Sequence, residues 1–120
     1  MQVYNSNGNS YLAYNKNLFI GTDETIVLEA ISHAGFSKLS LVIVNHGTDS
    51  TGGFNIYGSD DGINYFAFVT GIVDGVSAGD TSSYQLSNLN NSTAVAPYIR
   101  ITGNATSTTC NVDVYLLGAL

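Results

Sequence analysis

The sequence predicts an all-β protein, a single antiparallel β-sandwich, jelly-roll-like, of about eight to ten short strands. Three observations carry that prediction. Apolar residues recur in short alternating or continuous runs bounded by Gly, Asn, Asp and Ser. No segment of helical length keeps an apolar period of 3.6 residues. The chain of 120 residues has room for one core, and 44% apolar residues fill it without metal or disulfide staples.

The strands follow in order. "QVY" (2–4) and "YLAY" (11–14) flank "NSNGNS", where Asn7-Gly8 signals a hairpin because both central residues take positive φ. That turn sets Tyr4 opposite Tyr11 and Val3 opposite Leu12. Next come "TIVLEAI" (25–31) and "KLSLVIVN" (38–45). Across the connection "GTDSTGG" (47–53) lie "FNIYG" (54–58) and "NYFAFVT" (64–70). A second connection, "GVSAGD" (75–80), leads to "TSSYQLS" (81–87), "PYIRITG" (97–103) and "CNVDVYLLG" (110–118). Pro97 opens its strand, where a missing N–H costs least.

The last two strands read as a hairpin. One register puts Ile99 opposite Val114 and Ile101 opposite Val112 on the apolar side. The other side then pairs Tyr98 with Tyr115, Arg100 with Asp113 and Thr102 with Asn111. Arg100 and Asp113 become a cross-strand ion pair, worth about 0.2–1 kcal/mol when exposed. The alternative role for Arg100 is anion binding.

"YGSDDGINYF" (57–66) gathers carboxylates and aromatics. With Asp60 and Asp61 right-handed and Gly62 left-handed, it forms a three-residue hairpin loop closed by a G1 bulge. Ile56 then meets Phe66 and Phe54 meets Phe68 in the core, with Tyr57 opposite Tyr65 and Asn55 opposite Ala67 outside. Ser59 and Asp60 are the expected acceptors of turn N–H groups. Asp60, Asp61 and Asn64 are also candidate metal ligands. A Ca²⁺ ion takes about six to eight oxygens, however, and the spacing lacks a further acid. The turn is the expected role.

Composition excludes several functions. The net charge is −6, with Lys16, Lys38 and Arg100 as the fixed cations. No basic stripe exists to neutralise phosphates, so neither nucleic acid nor an anionic membrane surface is an expected partner. The longest aliphatic run, "LVIV" (41–44), is far too short to insert in a bilayer. No catalytic constellation emerges. His33 and His46 sit at strand ends, no Gly-x-Ser-x-Gly elbow occurs, and Glu24 and Glu29 belong to no acid pair motif. The expectation is a protein that is not an enzyme and has no cofactor. Cys110, the single cysteine, is either a small buried residue or a crosslink between subunits.

Only 10% of residues are charged, against roughly 25% in typical proteins. Asn, Ser, Thr and Gly replace them, giving a surface that is buried at lower entropic cost than Lys and Glu. Such a surface suits a packed assembly or an extracellular contact. "MQVYNSNGNSYLAYN" has neither a cationic start nor a signal-length apolar run, so no classical signal peptide is expected. The expected location is extracellular or on a particle surface, a cell appendage or a virion.

From its polar N-terminal segment to "YIRITGNATSTTCNVDVYLLGAL", the chain resembles the small β-sandwich subunits of bacterial extracellular fibres, such as the spore-appendage proteins. The resemblance implies a self-assembling subunit that forms a homo-oligomer or filament. In that family an N-terminal connector carries crosslinking cysteines, whereas the first 37 residues here carry none. "GSDDGINYF" also resembles the Ser-x-Asp-Gly-x-x-aromatic turn of discoidin-like sugar-binding modules, which usually present a Trp that this chain lacks.

These readings divide the chain into an extended N-terminal segment, 1–20, and a sandwich domain, 21–120. The segment is expected to add a strand to the next subunit, with Val3, Tyr4, Tyr11, Leu12, Tyr14, Leu18 and Phe19 at the interface. The alternative is a carbohydrate-binding or adhesive module, whose glycan partner meets the outer tyrosines Tyr57, Tyr65, Tyr98 and Tyr115.

Overall fold

The structure, a computed structural model, describes residues 2–6, 10–32, 38–73, 75–85 and 98–119. His33, Pro97 and the Asn7-Gly8 turn lie outside them. The described residues form nine strands: β1 (Gln2–Ser6), β2 (Ser10–Ile20), β3 (Thr25–Ser32), β4 (Lys38–Asn45), β5 (Phe54–Ser59), β6 (Phe66–Val73), β7 (Thr81–Gln85), β8 (Tyr98–Gly103) and β9 (Cys110–Ala119). They make a five-stranded sheet, β1-β2-β9-β4-β7, and a four-stranded sheet, β3-β8-β5-β6. Every pairing is antiparallel. Among the described residues no helix is long and apolar enough to cross a membrane.

The predicted β-sandwich is therefore the observed fold. Its core draws on alternate residues of the strands: Leu41 and Ile43 of β4, Phe54 and Ile56 of β5, and Ile99 and Ile101 of β8 are all fully buried. Each such side chain contributes about 1.5–3 kcal/mol relative to exposure.

Among the described strands, β1–β2 and β5–β6 are hairpins within a sheet, and the other consecutive pairs lie in different sheets. The expected β8–β9 hairpin is one of these crossings. β8 lies between β3 and β5, whereas β9 lies between β2 and β4. Ile99, Ile101, Val112 and Val114 are buried as their alternation requires, but on opposing sheets. An arch and a hairpin satisfy the same local pattern; the long partners β2 and β4 occupy both edges of β9 and select the arch.

Two registers also differ from expectation. In β1–β2, Val3 pairs with Ala13, Tyr4 with Leu12 and Asn5 with Tyr11, one residue away from the Asn-Gly register. In β5–β6, Gly58 pairs with Phe66, Tyr57 with Ala67, Ile56 with Val69 and Phe54 with Val73, with irregularities along the ladder. Phe66 is consequently 51% exposed rather than in the core. The loop between these strands runs from residue 60 to 65, longer than a three-residue turn.

The boundary after residue 20 does not divide the structure. β2 is paired on both sides, with β1 and with β9, and its Ala13 and Ile20 are fully buried core residues.

Packing within the four-stranded sheet is tight where Phe54 of β5 lies opposite Gly103 of β8. A Cβ added to Gly103 would overlap the Cε2 and Cδ2 atoms of the fully buried Phe54 ring. Gly103→Ala is expected to destabilise the fold by about 1–3 kcal/mol, measured by urea unfolding. Adding Phe54→Leu should recover part of that loss, since the two sites share one space. Wild-type stability in the single variant would refute this close packing.

Candidate functional site

The acidic loop is a turn held by its own side chains. Gly62 has φ +77°, the left-handed conformation expected of it. Ser59 Oγ accepts the Gly62 N–H at 2.9 Å and donates to Asp61 Oδ1 at 2.9 Å. Asp61 Oδ1 accepts the amides of Ile63 and Asn64 at 2.8 and 2.9 Å, and Oδ2 accepts Asn64 Nδ2 at 2.9 Å. The turn acceptors are thus Ser59 and Asp61 rather than Ser59 and Asp60. Backbone bonds from Asn64 and Ile63, then the Ser59 hydroxyl, hold the Asp61 carboxyl far below the usual carboxylate range. Of the three candidate ligands, Asp61 and Asn64 bond each other, and Asp60 is exposed beside them. Among the described residues no group of three His, Cys, Asp or Glu side chains could hold a metal ion.

On the exterior of the four-stranded sheet, polar groups and tyrosines interlock. Glu24 Oε2 accepts Thr102 Oγ1 at 2.6 Å, Tyr57 OH at 2.8 Å and Asn55 Nδ2 at 3.0 Å. The Thr102 and Tyr57 hydroxyls lower the Glu24 pKa, and the bond to Glu24 raises that of Tyr57. One strand along, the ladder between β3 and β8 is irregular between Leu28 and Ile31. Glu29 from this bulge accepts Arg100 Nε at 3.0 Å and Nη2 at 2.5 Å. The Arg100 guanidinium lies 4.0 Å from the Tyr65 ring centroid. Tyr98 packs its ring over Gly62.

Arg100 therefore pairs with Glu29 and not with Asp113. The reason is the arch: β8 and β9 lie in different sheets, so Arg100 and Asp113 occupy opposite exteriors. Asp113 has its own partners. Its Oδ2 meets His46 Nε2 at 2.7 Å, and its Oδ1 accepts the Asn17 N–H at 2.8 Å. That second bond marks a β-bulge. Asn15 pairs with Val114 and Leu18 with Val112, so Lys16 and Asn17 together oppose Asp113. Asn17 adopts φ +55°, which asparagine tolerates better than most residues. Burial raises the Asp113 pKa, but the bonds from His46 and Asn17 outweigh it and the net shift is downward.

Sequence reasoning missed this bulge, although its signal was present. Ala13 faces the core, and so do Leu18 and Ile20, so the alternation changes parity inside "YNKNLF". Leu18, expected at an interface, packs against the core instead. Between the bulge and the β3 edge, Asn15, Ile26, Val27, Leu28 and Glu29 line a groove of about 220 Å³, and Asn15 Nδ2 donates to Val27 O at 3.3 Å.

The exterior of the five-stranded sheet has a different character. Tyr14 and Tyr115 pair across β2 and β9 with ring centroids 6.1 Å apart. Lys16 Nζ lies 5.7 and 5.8 Å from the two rings. Leu117 is 42% exposed and Phe19 67% exposed. Val42 and Val44 alternate with buried Leu41 and Ile43, and pair with Tyr115 and Asp113. Of the four tyrosines expected on one outer surface, Tyr57, Tyr65 and Tyr98 thus stand apart from Tyr115. Cys110 is a free, fully buried thiol that donates to Asp49 O at 3.2 Å; burial, then Asp49, raises its pKa.

No protein-family model matches the chain, and no curated protein matches it. Among solved structures, the PBSX exported protein XepA superposes with a TM-score of 0.60 at 13% identity. The match covers 89% of this chain but only 37% of XepA. The SPBc2 prophage-derived protein YomS matches at a TM-score of 0.47 and 10% identity, over 90% of this chain and 94% of that one. A chain of Bacillus endospore appendages, described as a novel family of disulfide-linked pili, matches at 0.40 and 15% identity, over 96% and 94%. The likeness to XepA shows a shared fold.

Asp61, Asp113 and Glu24 all have folded pKa values below their unfolded ones. Their contribution to stability is complete above the unfolded values, about 3.9 for Asp and 4.3 for Glu, and is lost as pH falls through the folded values. These three groups should accordingly leave unfolding midpoints in urea unchanged from pH 5 upwards and lower them below about pH 4. Asp113→Ala strands the Asn17 amide and should cost about 1–3 kcal/mol at neutral pH. Its acid slope should be shallower than wild type; an unchanged slope would remove Asp113 from the account.

Proposed function

We propose that this chain is a self-assembling structural subunit of an extracellular fibre, appendage or virion surface, with no catalytic role. The observation that carries the reading is the exterior of the five-stranded sheet. There Tyr14, Tyr115 and Val42 lie side by side on β2, β9 and β4 with Lys16 over the two rings, Leu117 is 42% exposed further along β9, and Phe19 is 67% exposed past the bulge of β2. Apolar area removed from water contributes about 25 cal/mol per Å², and a surface this poor in charge loses little on desolvation.

The sheet edges support the same reading. The outermost strands of the five-stranded sheet are "QVYNS" and "TSSYQ", with neither charge nor proline. Natural edge strands are usually blunted by such residues. A subunit whose β1 edge, with Val3 and Tyr4, adds to the β7 edge of the next would make a heterologous contact, and such contacts propagate unless a rotation closes them. Tyr11 and Leu12 belong to β2, which is already paired on both sides, so strand addition falls to β1. The partner is another copy of the chain.

Removing residues 1–20 would delete core side chains, so the informative truncation stops at residue 6, the end of β1. Negative-stain electron microscopy beside light scattering at several concentrations should show filaments or regular particles of wild type. Phe19→Glu with Leu117→Glu, or loss of residues 1–6, should raise the concentration needed for assembly at least about tenfold, or 1.4 kcal/mol. A 12.6 kDa monomer at every concentration would overturn the proposal.

A further inference from the structure

We infer that the exterior of the four-stranded sheet is a binding platform for a neutral carbohydrate. The site is built on three adjacent strands by Asn55 and Tyr57 of β5, Arg100 and Tyr98 of β8 and Glu29 of β3, with Glu24 at its end. Glu29, Arg100 and Tyr57 follow one another across the strands, a span of about 10 Å.

The chemistry selects the ligand. The Tyr57 ring suits the C–H face of a sugar ring, and the planar amide, carboxylate and guanidinium groups beside it suit its hydroxyls, each both donor and acceptor. Glu24 and Glu29, in a chain of net charge −6, repel an anionic glycan and leave a neutral one.

The groups are also held in place before any ligand arrives. Three donors fix Glu24, and one carboxylate oxygen of Glu29 takes two bonds from Arg100. Arg100 in turn lies over the Tyr65 ring, whose hydroxyl is shielded and has no hydrogen-bond partner among the described residues. Rotamers fixed on strands lose little entropy on binding, which favours a ligand that offers only weak individual contacts. This platform lies on the sheet opposite Phe19 and Leu117, so ligand binding and self-assembly are separable.

The test uses the full chain in affinity electrophoresis through soluble xylan, glucomannan and hydroxyethylcellulose, with pull-down on insoluble chitin and cellulose. Wild type should be retained by at least one of these neutral polymers. Tyr57→Ala and Arg100→Ala should each weaken retention at least about tenfold, while Tyr57→Phe, which keeps the ring, should retain most of it. Thermal unfolding checks each variant, and Asn55→Ala, which removes an amide from the platform, replaces any that is unfolded. No retention on any polymer, or retention indifferent to the alanine variants, overturns the proposal. So does a loss of self-association in Tyr57→Ala with retention intact, which would make this face a subunit contact.

Discussion

Asn45 is fully buried at the end of β4, and its amide reaches three backbone groups at once. Nδ2 donates to Asp49 O at 2.7 Å and Val76 O at 3.0 Å, while Oδ1 accepts the Gly47 N–H at 2.8 Å. The Asn45 main chain is bonded to Asp80 O and to the Gly79 N–H. Thr51 adds a second tie, accepting the Val76 N–H through Oγ1 at 2.8 Å and donating its own N–H to Val76 O. Among the described strands, six of the eight consecutive pairs lie in different sheets, and each departure frees backbone groups from a ladder. Left buried and unpaired, each group costs about 1–3 kcal/mol. Asn45 and Thr51 satisfy those of two crossings together, fixing where β5 and β7 begin and hence the alternation of both sheets.

From that alternation comes the unlike chemistry of the two exteriors. Once Leu41 and Ile43 face inward, Val42 and Val44 must face outward; once Ile99 and Ile101 face inward, Arg100 must face outward. The outward set of the five-stranded sheet is the richer in aliphatic residues, with Val42, Val44 and Leu117 beside Lys16 and Asp113, and that of the four-stranded sheet is the more polar, with Ile26 exposed opposite Thr102. A bulge adjusts it: by shifting parity between Asn15 and Leu18, β2 places Ile20 in the core and Phe19 in solvent. Asp113 holds this bulge through the Asn17 amide. The exposure of Phe19 thus depends on a carboxylate that contributes no apolar area itself.

How much of this was legible in the sequence depended on distance along the chain. Strands were legible because alternation is local: "FNIYG" and "YIRITG" each bury every second residue as read. The acidic turn was legible because Gly62 next to two aspartates names its own conformation. Its length was not, because Asp61 accepts the amides of Ile63 and Asn64 and carries the loop past a three-residue turn. Strand order was not legible at all. β9 pairs with β2 and β4, and no neighbour-to-neighbour rule reports so distant a partner. The misplaced Arg100 pair followed directly from that: assuming a hairpin gave Arg100 the wrong carboxylate, although an exterior ion pair was the right kind of contact. The platform of Glu24, Asn55, Tyr57 and Thr102 draws on β5, β8 and the turn before β3, so only the folded chain brings it together.

The scarcity of charge acquires its meaning from where the few charges are held. Glu24 has three donors, Glu29 pairs with Arg100, Asp113 with His46, Asp61 with its own turn, and Asp49 accepts the Thr108 hydroxyl. Lys16 lies over the Tyr14 and Tyr115 rings. A charge already satisfied within the subunit need not be stripped of all its partners when a second surface closes over it, and this stripping is what makes most buried charges costly. The same internal pairing that fixes the turn, the bulge and the polar platform therefore lowers the desolvation penalty of a contact that covers those groups. A surface rich in Asn, Ser and Thr and poor in Lys adds little side-chain entropy to that penalty. Modest apolar area, of the size offered by Phe19, Leu117 and the tyrosine pair, can then decide the sign of association.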